Sequence, residues 1–344
     1  MMKTLIIGSV CEDAGKTSLI VGLARILGKK FGYLKPFGDR LIYRKKRLWD
    51  YDSALLTNIF GLEQSSEDMT IGFEHAKLRY MYDEASTRSK LQEMVRNLGD
   101  DNQILFVEGG KDLTYGTSVR LDTLSLARYL GGKLIIVASG DEGTILDDVT
   151  FLKKYVNMSD LEFTLVVNKV NNIDDYASTH LQDIKEMGIK VAGIIPFQKD
   201  LTYVNVSYIA ERLQARVISG EGGLNNKVKH VFVGAMSGDA AVRLPLFKIE
   251  NKLAITSGDR SDMIVAALES STAGIVLTNN VIPAQNIIAK AAEKNIPLLL
   301  VPYDTFQTAK RVDDMPTLLT RDDTERINLL EKLIKEHIDI DAIL

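Results

Sequence analysis

Among its 344 residues the chain has one cysteine, Cys11, which excludes an intrachain disulfide and a cysteine-rich zinc cluster and fits a reducing compartment. Its four histidines, His75, His180, His230 and His337, show no metal-ligand spacing, so no histidine metal centre is expected. No apolar run approaches the roughly 20 residues of a membrane span, and Leu5-Ile6-Ile7 is far too short for a signal-peptide core. The expectation is a cytoplasmic protein without membrane contact. Positive charge is not in excess either: 42 Lys and Arg against 46 Asp and Glu leave a net charge of −4, so nucleic acid is not an expected partner. The basic run Arg44-Lys45-Lys46-Arg47 lacks interleaved aromatics and reads as a solvated face. No internal repeat and no low-complexity segment is present.

What is present is an ordinary globular composition, 45% hydrophobic and 26% charged, in a chain long enough for two cores. Short Val- and Ile-rich runs at Thr4–Ile7, Ile104–Val107, Leu134–Ala138, Thr164–Val167 and Val191–Ile195 alternate with amphipathic stretches. That rhythm predicts an α/β domain with a mostly parallel sheet flanked by helices. The segment Ser219-Gly220-Glu221-Gly222-Gly223-Leu224-Asn225-Asn226 is rich in turn residues and reads as a linker. The expected organisation is a first domain over 1–218, a linker over 219–227 and a second, smaller α/β domain over 228–344. Strands are expected there at Val231–Val233, Ala254–Thr256, Gly274–Leu277 and Pro297–Val301, with helices at Asp262–Glu269 and Gln285–Glu293. A closing helix over Asp322–His337, with apolar residues at helical spacing, is expected to pack on the second domain.

The first strand runs into Gly8-Ser9-Val10-Cys11-Glu12-Asp13-Ala14-Gly15-Lys16-Thr17-Ser18, followed by an apolar helical stretch. This strand, loop and helix predict a P-loop NTPase, in which backbone N–H groups and a helix N-terminus face phosphate. Glu12, Asp13, Ala14, Gly15, Lys16, Thr17 and Ser18 are the candidate nucleotide-binding residues, with Lys16 reaching the outer phosphates and Thr17 ligating Mg²⁺. The loop is a variant: Val10 stands where glycine is usual. A phosphate loop also needs a carboxylate for its metal. Glu108 ends an apolar strand before Gly109-Gly110, where open sheets bind ligands. Asp50 and Asp52 precede an apolar helical run, and their spacing suits either a helix cap or metal ligands. Lys35, in Tyr33-Leu34-Lys35-Pro36, is a second cation at a strand end, facing phosphate or solvent. Asn168-Lys169-Val170-Asn171 lacks the acid of a guanine-reading motif, which favours adenine.

The order of variant loop, Tyr-x-Lys-Pro, Asp-x-Asp and Val-Glu-Gly-Gly over residues 1–215 resembles dethiobiotin synthetase, and more closely the dethiobiotin-synthetase-like domain at the amino end of some phosphotransacetylases. The resemblance implies ATP and Mg²⁺ as cofactors, Lys16 and Lys35 on phosphates as the catalytic cations, and Thr17, Asp52 and Glu108 around the metal. It also implies Asn168 and Pro196 beside the adenine, and a homodimer. Val233-Gly234-Ala235-Met236-Ser237, Ser257-Gly258-Asp259-Arg260-Ser261-Asp262 and Pro302-Tyr303-Asp304-Thr305 resemble the DRTGG domain that accompanies this loop domain. Such a domain implies an unidentified small-molecule or protein ligand. Thr278-Asn279-Asn280 departs from the family's Thr-Gly-Gly, and Asp259 and Arg260 suit either a paired turn or ligand contact.

Three functions follow as expectations. The first is an ATP-dependent regulatory or sensor protein, with the catalytic phosphotransacetylase domain absent. The second is an ATP-dependent ligase activating a carboxylate or carbamate, which Asp39, following Phe37-Gly38, disfavours by placing an acid near the substrate position. The third is a nucleotide-binding protein without turnover. Glutamine-dependent amidation needs a nucleophilic cysteine outside the phosphate loop, and Cys11 lies within it.

Overall fold

Runs of Val, Ile and Leu without polar interruption fold as strands buried on both faces, and this sets the architecture. The computed structural model of the protein describes residues 2–44, 47–99, 101–157 and 161–344. The first half runs β1 (Lys3–Ser9), α1 (Lys16–Leu27), β2 (Phe31–Leu34), β3 (Leu41–Arg44), β4 (Arg47–Asp50), α2 (Tyr51–Phe60), α3 (His75–Met81) and α4 (Glu84–Arg96). It continues β5 (Ile104–Glu108), α5 (Thr123–Leu130), β6 (Lys133–Ala138), α6 (Glu142–Asn157), β7 (Phe163–Val170), α7 (Ile173–Thr179), α8 (Leu181–Glu186) and β8 (Lys190–Pro196). The sheet order is β2-β5-β1-β6-β7-β8, with every pairing parallel. β1 therefore lies inside the sheet, and Ile7 pairs with Glu108 of β5. Ile6, Leu105, Val107 and Ile136 share one apolar core with Leu91 of α4, Leu124 of α5 and Leu152 of α6.

The second half runs β9 (Val204–Asn205), α9 (Val206–Leu213), β10 (Arg216–Ser219), β11 (Lys227–Val228), β12 (His230–Val233), α10 (Gly238–Val242), β13 (Lys252–Ser257) and α11 (Ser261–Leu268). Then come β14 (Thr272–Thr278), α12 (Gln285–Glu293), β15 (Leu298–Leu300), α13 (Thr305–Asp313), α14 (Thr324–His337) and α15 (Ile340–Ile343). A five-stranded sheet has the order β10-β15-β14-β13-β12, parallel except for β10.

The chain divides into two compact units, Met1–Gln198 with Leu319–Leu344, and Lys199–Leu318. This corrects the expected boundaries. Residues 219–227 are not a linker: Gly220 and Gly223 pack so tightly that an added Cβ would lie 2.2 Å from Ile296 O and 2.0 Å from Asn295 O. Their glycines serve close packing within the second unit, whose strand β10 precedes them.

The closing helix is also corrected. α14 belongs to the first unit, with Leu330, Leu333 and Ile334 buried. It crosses α1 at Gly22, where a Cβ would stand 2.5 Å from Ile334 Cγ1. Beyond it, the Asp339 N–H donates to Ala192 O at 2.8 Å, and Ile338 bridges Gly193 of β8. A Cβ on Gly193 would lie 1.9 Å from His337 O. Gly193→Ala is therefore expected to destabilise the fold by about 1–3 kcal/mol through overpacking, read as a lower urea midpoint. An unchanged midpoint would mean that the C-terminal segment shifts aside without cost.

Candidate functional site

The loop between β1 and α1 is shaped by one residue that has to be glycine. Gly15 has φ +104°, and a Cβ there would lie 2.3 Å from Asn168 Nδ2. From Gly15, α1 starts with N–H groups that have no intrahelical carbonyl partner, which creates partial positive charge at the loop. Lys16 is buried, its ammonium donating to Ser9 Oγ at 2.7 Å and Lys111 O at 3.0 Å. Burial pushes its pKa down, with only partial opposition from Glu108. Ala14 is buried, while Glu12 and Asp13 are exposed at the rim, Glu12 pairing with Lys111 at 3.2 Å.

Register brings Glu108 to the same sheet edge. Thr17 Oγ1 donates to Glu108 Oε1 at 2.9 Å, and Tyr33 OH donates to Oε2 at 2.8 Å. Burial, reinforced by the Asp52 charge, raises the Glu108 pKa to about 7. Asp50 and Asp52 take different roles. Asp50 caps α2, accepting from the Asp52 N–H at 3.0 Å and the Ser53 N–H at 3.1 Å, while its other oxygen accepts from the Asp39 N–H at 3.2 Å. Asp52 is left to face cations. Burial opposes its charge, but Lys35 and Arg40 outweigh burial and bring it to about 2.

Lys35 was expected on phosphate. Its ammonium instead sits among carboxylates, 2.5 Å from Asp39 Oδ1, 3.7 Å from Asp50 Oδ2 and in contact with Asp52 Oδ2. Burial works against the charge, yet Asp52 and Asp50 carry the Lys35 pKa well above its ordinary value. Arg40, whose role was not anticipated, spans from Asp52 Oδ1 at 3.3 Å to Asp13 Oδ1 of the loop. A signal was available in the sequence, an acid-base pair directly behind Lys35-Pro36-Phe37-Gly38.

Three cations, Lys16, Lys35 and Arg40, thus face five carboxylates, Asp13, Asp39, Asp50, Asp52 and Glu108. With Lys169, whose ammonium also faces Asp13, counted beside them, the fully ionised cluster has one negative charge in excess. A hard dication with oxygen ligands fits that imbalance and the Thr17–Glu108 donor pair.

Asn168 and Lys169, at the end of β7, clasp the loop from the other side. Asn168 Nδ2 donates to Ala14 O at 2.8 Å, and Lys169 Nζ donates to Asp13 O at 2.6 Å. The Asn168 amide group is thereby engaged with the loop, its Oδ1 accepting from the Lys169 N–H at 2.9 Å. Pro196 closes β8, and the Gly193 that precedes it is occupied by the C-terminal segment. The Cys11 thiol donates to Ser139 O at 3.2 Å. Of the basic run, Lys45 and Lys46 lie outside the described residues, and Arg47 pairs with Glu67 at 2.5 Å.

In the second unit Arg260 does not pair with Asp259. It donates to Met236 O at 2.6 Å and lies 3.6 Å from Asp262. Asn279 and Asn280 have φ +58° and +54°, a conformation that asparagine tolerates, so they keep the turn that glycines would otherwise make.

A family model described as an AAA domain matches residues 3–205, and one described as a DRTGG domain matches residues 208–315. Curated relatives include the phosphate acetyltransferase of Synechocystis sp., 25% identical and matched over 100% of this chain and 52% of that protein. That of Nitratidesulfovibrio vulgaris is 24% identical over 98% of this chain and 51% of the relative. The chain spans about half the length of the curated relatives it matches. Among solved structures, a ParA family ATPase from Chlorobium tepidum is 15% identical with a TM-score of 0.38, covering 58% of this chain and 87% of that one. The CBS and DRTGG domains of the regulatory region of Clostridium perfringens pyrophosphatase, complexed with the activator diadenosine tetraphosphate, are 25% identical with a TM-score of 0.30. They cover 36% of this chain and 53% of that one. No helix among the described residues is long and apolar enough to cross a membrane. With its phosphate loop and the parallel sheet that carries it inside the first match, the chain belongs to the AAA domain family over residues 3–205 and continues into a DRTGG domain.

Proposed function

We propose that the protein is an ATP-dependent regulatory protein whose first unit binds Mg-ATP and whose DRTGG unit takes a small molecule or a partner protein. The observation that carries the reading is the Thr17–Glu108 hydrogen bond beside buried Lys16, at the carboxyl edge of a parallel sheet. Loop N–H groups and Lys16 would receive the phosphates. Thr17, Asp52 and Glu108 would hold magnesium, which supplies charge neutralisation for the phosphate oxygens. Adenine is favoured because Asn171 stands where a guanine-reading acid belongs. Lys35, shut among carboxylates, does not favour the ligase reading, since a carboxylate substrate would meet Asp39 at that place.

The test is calorimetric titration of the purified chain with ATP, with and without Mg²⁺, together with a phosphate-release assay. Binding that strengthens at least about tenfold with Mg²⁺ is the expected result. Release of phosphate supports a switch that turns over; binding without release supports a static nucleotide ligand. Release that starts only when a carboxylate is added would replace the proposal with the ligase reading, and an absence of binding would end it.

A further inference from the structure

Beside Lys16, the resemblance implies Lys35 as a second cation on phosphate, and the structure holds Lys35 elsewhere. The side chain of Lys35 is 1% exposed and packed among Asp39, Asp50 and Asp52. Arg40 is placed differently. Its side chain is 22% exposed, and its guanidinium joins the phosphate loop, through Asp13, to Asp52 at the start of α2. Building on the Mg-ATP reading, we propose that Arg40 is the residue that distinguishes a nucleoside triphosphate from a diphosphate, exchanging its carboxylate partners for the terminal phosphate.

Both carboxylates can release it without being stranded. Asp13 is tied down independently, since Lys169 Nζ donates to its backbone oxygen at 2.6 Å. Its side chain is 47% exposed, so water replaces the lost partner. Asp52 keeps Lys35 in contact. A guanidinium presents a rigid fork of donors that suits two oxygens of one phosphate as well as carboxylate oxygens. The exchange is therefore between like acceptors, the roughly two negative charges of a terminal phosphate standing in for those of the two carboxylates. A diphosphate carries no group at that position and leaves Arg40 on Asp13 and Asp52. The loop is thus bridged to Asp52 without triphosphate and unbridged with it, so the same residue reports the nucleotide's state to α2.

The experiment measures affinities of wild type, Arg40→Met and Arg40→Gln for Mg-ADP and for a non-hydrolysable Mg-ATP analogue. Wild type is expected to prefer the triphosphate, and both variants to lose about tenfold to a hundredfold in triphosphate affinity, the range of a lost charge-assisted contact. Diphosphate affinity should change less than about threefold, which also certifies the fold. An unchanged ratio of the two affinities in either folded variant overturns the proposal. Equal loss for both nucleotides overturns it as well, because Arg40 would then hold the loop rather than read the phosphate. Failure of both variants to fold would assign Arg40 to structure alone. If wild type binds neither nucleotide, the Mg-ATP reading itself fails, and the ratio is not what decides.

Discussion

Lys16→Met is expected to weaken Mg-ATP binding by about a hundredfold or more, while moving the melting temperature of the ligand-free chain by less than about 4 °C. The two readouts separate because of what surrounds the ammonium. Its hydrogen-bond partners are neutral oxygens, Ser9 Oγ at 2.7 Å and Lys111 O at 3.0 Å, and burial lowers its pKa despite the charge of Glu108. The folded chain thus holds this charge at a cost, and methionine keeps the side-chain volume without it. A phosphate would supply the missing counter-charge, so the loss falls on binding. Calorimetry and a thermal melt on the same preparation check both halves. Wild-type affinity in the variant would remove Lys16 from the phosphate site; a collapse of the ligand-free fold would show that the ammonium is structural.

The elements that could be read from the sequence are those whose residues answer to local rules. Val231–Val233 and Gly274–Leu277 are strands because each is an apolar run closed by polar or turn residues, and Gln285–Glu293 is helical over the range its periodicity indicates. The phosphate loop was legible for the same reason, since strand, glycine, lysine and helix follow one another within the sequence. Partners across space were not. Periodicity shows that α14 has an apolar face, but whether that face meets the first unit depends on Gly22 and Gly193, remote positions whose small size admits it. The glycines at 220 and 223 suggested a linker because close backbone packing and chain flexibility call for the same residue. The spacing of Asp50 and Asp52 left cap and metal roles open, and the fold divides them: Asp50 spends both oxygens on backbone N–H groups, and Asp52 turns to Lys35 and Arg40. The same limit hid Arg40. The acid-base pair Asp39-Arg40 marks the place, but nothing local says that Arg40 will reach Asp13.

Lys35→Met should behave in the opposite way to Lys16→Met, destabilising the ligand-free chain by about 3–5 kcal/mol, the range for removing one partner from a buried ionic cluster. Here the carboxylates win over burial: the Lys35 pKa lies well above its ordinary value, and the same contacts hold Asp52 at about 2. Without the ammonium, carboxylate oxygens of Asp39, Asp50 and Asp52 remain within 4.8 Å of one another, offset by Arg40 in contact with Asp52 and by the charge of Lys16. The sign of the pH dependence separates this cause from simple mispacking. In the variant the buried carboxyls regain protons more readily folded than unfolded, so their repulsion is relieved below the folded pKa and felt above it. The deficit relative to wild type should therefore shrink as pH falls from 8 towards about 5, measured as urea midpoints across that range. A deficit constant with pH would mean that methionine merely fits badly. Adding Asp39→Asn to Lys35→Met should recover part of the loss at pH 8 by removing one of the crowded charges, and no recovery would show that Asp39 is not the residue repelled. If Mg²⁺ binds at Asp52 as proposed, the variant should gain more stability from the ion than wild type does. Such a result would make Lys35 a built-in counter-ion for the acidic cluster, and would leave Lys16, bonded only to neutral oxygens, as the cation for the proposed phosphate.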